Sequence, residues 1–206
     1  MIVRLYICLL FIASVFTAEA QQTAASKHKL GIKTSINFST LLGNEFENPR
    51  LKYGYTAGAY YRSINKKDWH LYSEIVGNFK GSNFSNGDTG YSRIASFYVD
   101  FAAVPMYNLS DKTKAVGIGA YGSYLGLSSM FVGDQKKAEL NSINLAPLDA
   151  GLAAYYHSYG KSVTFQFGAK LGITNANDGI NFIGYFPTTG NGGFIRNLSF
   201  EIGMLF

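Results

Sequence analysis

The chain has 206 residues, with 15% charged, 16% aromatic, 23 glycines and a formal net charge of +5. Its basic residues are scattered, no run exceeding the pairs Lys66-Lys67 and Lys136-Lys137, so the basic stripe that nucleic-acid binding needs is absent. The one cysteine, Cys8, lies at the extreme N-terminal end.

Arg4, the apolar run Leu5–Phe16 and the A-x-A pattern Ala18-Glu19-Ala20 read as a cleaved secretory signal peptide over residues 1–20. Its removal takes Arg4 and Glu19 together and leaves the net charge unchanged. No cysteine is left in the expected domain, residues 21–206, so disulfides and thiolate chemistry are excluded. No stretch there is long and apolar enough for a transmembrane helix.

From there the chain alternates with period two. In Lys29–Ser39, Leu30, Ile32, Thr34, Ile36 and Phe38 share one face, and Gly31, Lys33, Ser35, Asn37 and Ser39 the other. The segments Lys52–Ile64, Trp69–Lys80, Tyr91–Tyr107, Val116–Ser128, Asn144–Tyr156, Ser162–Thr174 and Ile195–Phe206 read the same way. Eight strands of this kind match the ~9–11 residues of a tilted transmembrane strand better than the usual ~5–6 of a soluble one. Long connections (Thr40–Leu51, Gly81–Gly90, Ser129–Ile143, Asn175–Phe194) alternate with short ones (Asn65–Asp68, Asn108–Ala115, His157–Ser162). The pattern predicts an all-β, eight-stranded, antiparallel up-and-down transmembrane barrel, with short periplasmic turns and long extracellular loops.

Tyr61, Trp69, Tyr107, Tyr156 and Phe206 fall on the apolar rows at the periplasmic strand ends, where an interfacial aromatic girdle belongs. The opposite rows carry Lys33, Arg62, Glu74, Asp100, Asp149, Lys170 and Glu201. Charges inside so narrow a barrel must pair. Parity and strand order therefore suggest an interior network that joins Lys33, Glu201 and Lys170 at the closing seam, with Asp149 as a further member and Arg62 among the pairing bases. Glu74 beside Asp100 could alternatively be a carboxylate pair for acid–base work.

Other motifs carry less. Gly117–Gly122 has the G-x-G-x-x-G spacing but lies inside a strand with no helix following, so it is no phosphate cradle. His28, His70 and His157 lack ligand spacing, and no metal or cofactor is expected. Four Asn-x-Ser matches read as chance. In the last loop, Phe182, Ile183, Tyr185 and Phe186 are apolar where solvent is expected. They either pack on the rim and outer leaflet or form a contact patch.

Several of these segments together resemble the outer-membrane β-barrel domain of PorT-like proteins, a porin-family group common in Gram-negative bacteria. "GIKTSINFS" is similar to that family's first strand, with Ser35 in place of the usual glycine. "GYTAGAYY" resembles its second strand, and "LYSEIVGNFKG" places Glu74, Lys80 and Gly81 on family positions. "YVDF" departs from the pattern, with Ala102 where proline is usual. "GLAAYY", "KLGITNA" and "RNLSFEIGMLF" also fit. The resemblance implies a fold and a place, the outer membrane, and no reaction.

The expectation is a non-enzymatic outer-membrane barrel, exported through Sec, with a structural or surface-recognition role. Its partners would be outer-membrane lipid and the barrel-assembly machinery, the latter through the C-terminal strand Leu198 to Phe206. The alternatives are a barrel enzyme acting on lipid or peptide, and a soluble lipocalin-like carrier.

Overall fold

The structure is a computed structural model that describes residues 28–43, 49–63, 68–85, 91–110, 112–132, 135–139, 145–175 and 194–206. The signal-peptide segment and the loop residues Phe182, Ile183, Tyr185 and Phe186 lie outside them. The described residues hold ten strands and no helix. The strands are β1 His28–Gly43, β2 Pro49–Arg50, β3 Lys52–Ser63, β4 Trp69–Ser85, β5 Tyr91–Asn108, β6 Lys114–Val132, β7 Gln135–Glu139, β8 Leu148–Tyr159, β9 Thr164–Gly172 and β10 Ile195–Leu205.

Eight strands are the staves of a closed antiparallel barrel, running β1-β3-β4-β5-β6-β8-β9-β10 around the wall. The seam closes through β1 and β10, paired from Lys33↔Leu205 to Gly43↔Ile195. At its lower end Phe206 exchanges backbone hydrogen bonds with Ile32, and the Tyr60 hydroxyl donates to the Phe206 carbonyl at 3.1 Å. Gly31 permits this approach, since a Cβ there would collide with the Phe206 carbonyl oxygen. The two remaining strands extend the wall at the long-loop end, β2 against β4 and β7 against β6.

Outward rows are apolar and inward rows are filled. Ile36, Phe38, Ile75, Phe101, Leu152, Phe167 and Ile202 all point out and keep between 39% and 53% of their surface exposed. A carrier with apolar faces turned inward would show the reverse, so the lipocalin-like alternative does not fit. Large apolar side chains held this way around a whole wall form a continuous exposed apolar band.

The staves run further than alternation suggested. β4 reaches Ser85, β6 reaches Val132 and β1 reaches Gly43, each taking residues expected in loops. The cause is a mixing of polarity on the two faces. At the long-loop end the inward positions gain apolar residues among the serines, with Leu41, Phe84, Ile94 and Ile195 buried beside Ser82 and Ser92. The outward positions there include Asn83, Arg93 and Arg196. Period two continues with mixed polarity on both faces, Leu42 and Phe194 still exposed outside. A further irregularity lies in β6. Phe97 pairs with Leu127 and Tyr98 with Leu125, so Gly126 is an extra residue. Plain alternation would turn Leu127 inward and Ser128 outward; the bulge leaves Leu127 exposed and Ser128 buried.

Candidate functional site

The lumen is where the inward rows converge. Toward the short-turn end it holds a buried cluster that includes Tyr60, Tyr72, Val104, Met106, Tyr155 and Leu205. Tyr72 stacks on Tyr60 at 5.9 Å and meets Tyr155 edge-on at 5.5 Å. These rings close the barrel below a layer of charge.

That layer is a chain of six alternating charges. Glu201 on β10 meets Lys33 on β1 at 2.6 Å, and Lys33 meets Glu74 on β4 at 2.7 Å. Glu74 meets Lys170 on β9 at 2.9 Å, and Lys170 reaches Asp100 on β5 at 3.1 Å. Asp100 meets Lys80 on β4 at 2.9 Å. Three cations and three anions cancel, and each of the six is 5% exposed or less. Burying any one alone would cost several kcal/mol. In sequence they bring together strands from both ends of the chain, and Lys170 crosses the lumen to reach its partners.

Neutral donors complete the carboxylates. Glu74 accepts from Lys33 and the Tyr72 hydroxyl on one oxygen, and from Lys170 and the Tyr155 hydroxyl on the other. Asp100 accepts from Lys80, Ser123, Asn78 and Lys170. Glu201 accepts from Lys33 and the Gln166 amide. An ionised carboxylate offers about four acceptor positions. Glu74 and Asp100 have four donors each, so neither oxygen pair has a site left for a substrate proton. Nor are the two acids side by side: Glu74 pairs with Ala102 and Val76 with Asp100, and Lys170 sits between them. The carboxylate-pair reading therefore lacks both an open lone pair and the like-charge contact it needs.

Two residues expected in the network stand outside it. Asp149 is buried but takes its hydrogen bonds from neutral groups, Tyr121 at 3.0 Å, Asn197 at 2.9 Å and Thr174 at 2.9 Å. Register is the reason. Lys170 pairs with Ala153, and Asp149 is four residues, two pleat repeats, further along β8 toward the loops, while Lys170 turns to Glu74 and Asp100. Arg62 pairs with Tyr72 while Tyr60 pairs with Glu74, which sets it below the charged layer. Its guanidinium lies over the Tyr159 ring at 4.6 Å instead.

Lys80 belongs to the chain and had not been assigned to it. Its parity on β4 is that of Glu74, so the row it faces was readable. Asn37, Asn78 and Gln166 are likewise inward, and their amides link the charges to the wall. Below, His70 and Tyr159 approach at 3.0 Å, while both ring nitrogens of His157 are buried without a hydrogen-bond partner among the described residues. No group of three or more metal-ligating side chains occurs among the described residues.

The five aromatics assigned to a girdle all lie at the short-turn end on outward rows. Trp69 faces its strand neighbour Tyr107 with ring centroids 5.0 Å apart, and Tyr156 approaches Phe167 at 6.1 Å. Tyr61 pairs with Leu30, and Phe206 ends the seam.

No family model and no curated protein matches the chain. Among solved structures it is similar to Neisserial surface protein A, NspA, over 86% of this chain and 97% of that one, at 8% identity and a TM-score of 0.51. Ail, the attachment invasion locus protein of Yersinia pestis, aligns over 87% and 97% at 12% identity and a TM-score of 0.46. The likeness to NspA is one of fold alone, and it agrees with what the pairing of strands already establishes: a closed, eight-stranded antiparallel β-barrel.

Proposed function

We propose that the chain is an integral outer-membrane barrel of a Gram-negative cell, without enzymatic activity, serving a structural or surface-recognition role. The observation that carries this is the combination of an apolar outside and a charge-filled, closed inside. On the outward row of β4, Trp69 and Phe79 lie ten residues apart. At about 3.3 Å per residue and a tilt of ~45°, that height is about 23 Å, close to the ~25 Å apolar band of such barrels. The sequence resemblance to PorT-like barrels and the NspA-like fold support the same place. In this reading residues 1–20 direct export, Leu198 to Phe206 is the segment that the barrel-assembly machinery receives, and Tyr61, Trp69, Tyr107, Tyr156 and Phe206 mark the periplasmic interface. Phe182, Ile183, Tyr185 and Phe186 remain a candidate contact patch on the surface loop.

The experiment is fractionation of cells expressing the full chain, followed by electrophoresis of the membrane fraction with and without boiling. Recovery in the outer membrane with a heat-dependent change in migration is expected. Soluble protein in the periplasm would end the membrane reading. The non-enzymatic part fails if purified barrel turns over lipid or peptide and Glu74→Gln abolishes that turnover.

A further inference from the structure

The wall has a niche at its long-loop end. The ladder between β3 and β4 stops at Thr56↔Asn78 and resumes between β2 and β4 at Arg50↔Asn83. Residues 51–55 on one side thus face only 79–82 on the other, the mismatch of a bulge. On the β4 side Gly81 adopts φ +150°. Its N–H and carbonyl both bond the Ser39 hydroxyl, at 2.9 and 3.0 Å, where no β3 residue pairs with it. The interruption opens a cavity of about 580 Å³ on the outer side of the wall, lined among others by Arg50, Lys52, Arg93, Tyr53, Tyr55 and Phe79.

The lining divides by chemistry. Tyr53, Tyr55 and Phe79 belong to the outward apolar row and are 69%, 61% and 53% exposed. Arg50 and Arg93 stand beyond them, where the outward face turns polar, and Lys52, in phase with inward Gly54 and Thr56 on β3, lines the same cavity. The ion pairs among the described residues all lie in the lumen, so no described carboxylate neutralises these three cations. Arg93 is held with its guanidinium over the Phe131 ring at 4.4 Å, and its Nε is buried with no hydrogen-bond partner. A buried guanidinium N–H left unpaired is costly, and a tetrahedral oxyanion is what a guanidinium fork beside an ammonium fits best.

We infer that this niche binds the phosphate monoester of a lipid in the surrounding leaflet, with Arg50, Lys52 and Arg93 on the phosphate and Tyr53, Tyr55 and Phe79 against the first part of the lipid's hydrocarbon. The cations lie about where headgroups begin and the aromatics where acyl chains begin, so one amphiphile spans both halves of the lining. The inference rests on the membrane reading above for which solvent bathes the wall.

The test uses the mature chain folded into phosphatidylcholine nanodiscs, with phosphatidic acid as the probe and phosphatidylglycerol, a phosphodiester, as the comparison. Lipids retained by the barrel after detergent extraction are counted by native mass spectrometry. Phosphatidic acid should be retained about ten-fold over phosphatidylcholine, and the pair Lys52→Gln, Arg93→Gln should lose about that factor, the equivalent of ~1.4 kcal/mol. The pair Lys114→Gln, Lys161→Gln at the opposite end should retain it. Unchanged heat-dependent migration shows that each variant is folded. Competition by inorganic phosphate at equal concentration would show a free-anion site and overturn the lipid assignment. Equal retention of all three lipids, or equal loss in both variant pairs, overturns the site while leaving the membrane reading intact. A chain that will not enter nanodiscs overturns both.

Discussion

Lys33 is a residue on which the ladder of charges should depend strongly, because it separates the two carboxylates Glu74 and Glu201 at the shortest distances in the ladder. Its Nζ lies 2.7 Å from Glu74 and 2.6 Å from Glu201, so the two acid oxygens can be no more than about 5.3 Å apart. In Lys33→Met the apolar volume is nearly kept and the cation is lost. At an effective dielectric of ~20, two charges at that distance repel by about 3 kcal/mol, which agrees with the ~3–5 kcal/mol of breaking a buried pair. Glu201→Gln added to Lys33→Met restores neutrality, leaving Glu74 and Asp100 against Lys170 and Lys80, and keeps an amide oxygen for Gln166. The double variant should therefore be more stable than Lys33→Met alone, with a coupling energy of about 2 kcal/mol or more. Reversible urea unfolding in lipid vesicles, followed by the fluorescence of Trp69, the single tryptophan, measures each corner of the cycle. Additivity within about 0.3–0.5 kcal/mol would mean that Lys33 and Glu201 do not act on each other, and the reasoning would fail.

Lys80→Met should cost less than Lys33→Met in the same assay, because Asp100 keeps Lys170 at 3.1 Å and no two acids are brought face to face. Ile75→Arg, midway between Trp69 and Phe79 on an outward row, should destabilise the barrel by about 2–4 kcal/mol in vesicles; a neutral result would place the row outside the apolar band. Gly31→Val should hinder closure of the seam by crowding Phe206 and Tyr60, at an overpacking cost of about 1–3 kcal/mol, visible as loss of the heat-resistant band on gels. Planar bilayer recordings should show no steady, porin-sized conductance, and a stable large open level would contradict a filled lumen.

Side-chain direction was legible in the sequence because the period of a strand is two. Lys33, Glu74, Asp100, Lys170 and Glu201 could be placed on inward rows from parity alone, and the apolar outside followed from Ile36, Phe167 and Ile202. Depth was not legible, because parity repeats every two residues and carries no register. That is why Asp149 and Arg62 seemed candidates for ion pairs they do not make: register puts one above the charged layer and the other below it. The reach of the staves was hidden for a different reason. Beyond Lys80 apolar side chains appear on the inner face too, as Phe84 and Ile94 show, so a reading tuned to an apolar outside and a polar inside stops where the two faces become mixed. Bulges also escape a strict alternation, as Gly126 does.

The ladder also sets an order of events. Lys33 and Glu201 are separated by 168 residues, and Lys170 lies 96 and 70 residues from its two partners. The Lys33–Glu201 bond cannot form while the first and last staves are apart, so it rewards the chain only when the seam closes. Interactions absent from the transition state slow unfolding without hastening folding. The Lys33–Glu201 pair should therefore act as a latch: a chain still open at the β1–β10 seam gains nothing from it, whereas a closed one must separate it before that seam can reopen. Variants of this pair should show their effect in the rate of escape from the folded state, with insertion rates nearly unchanged.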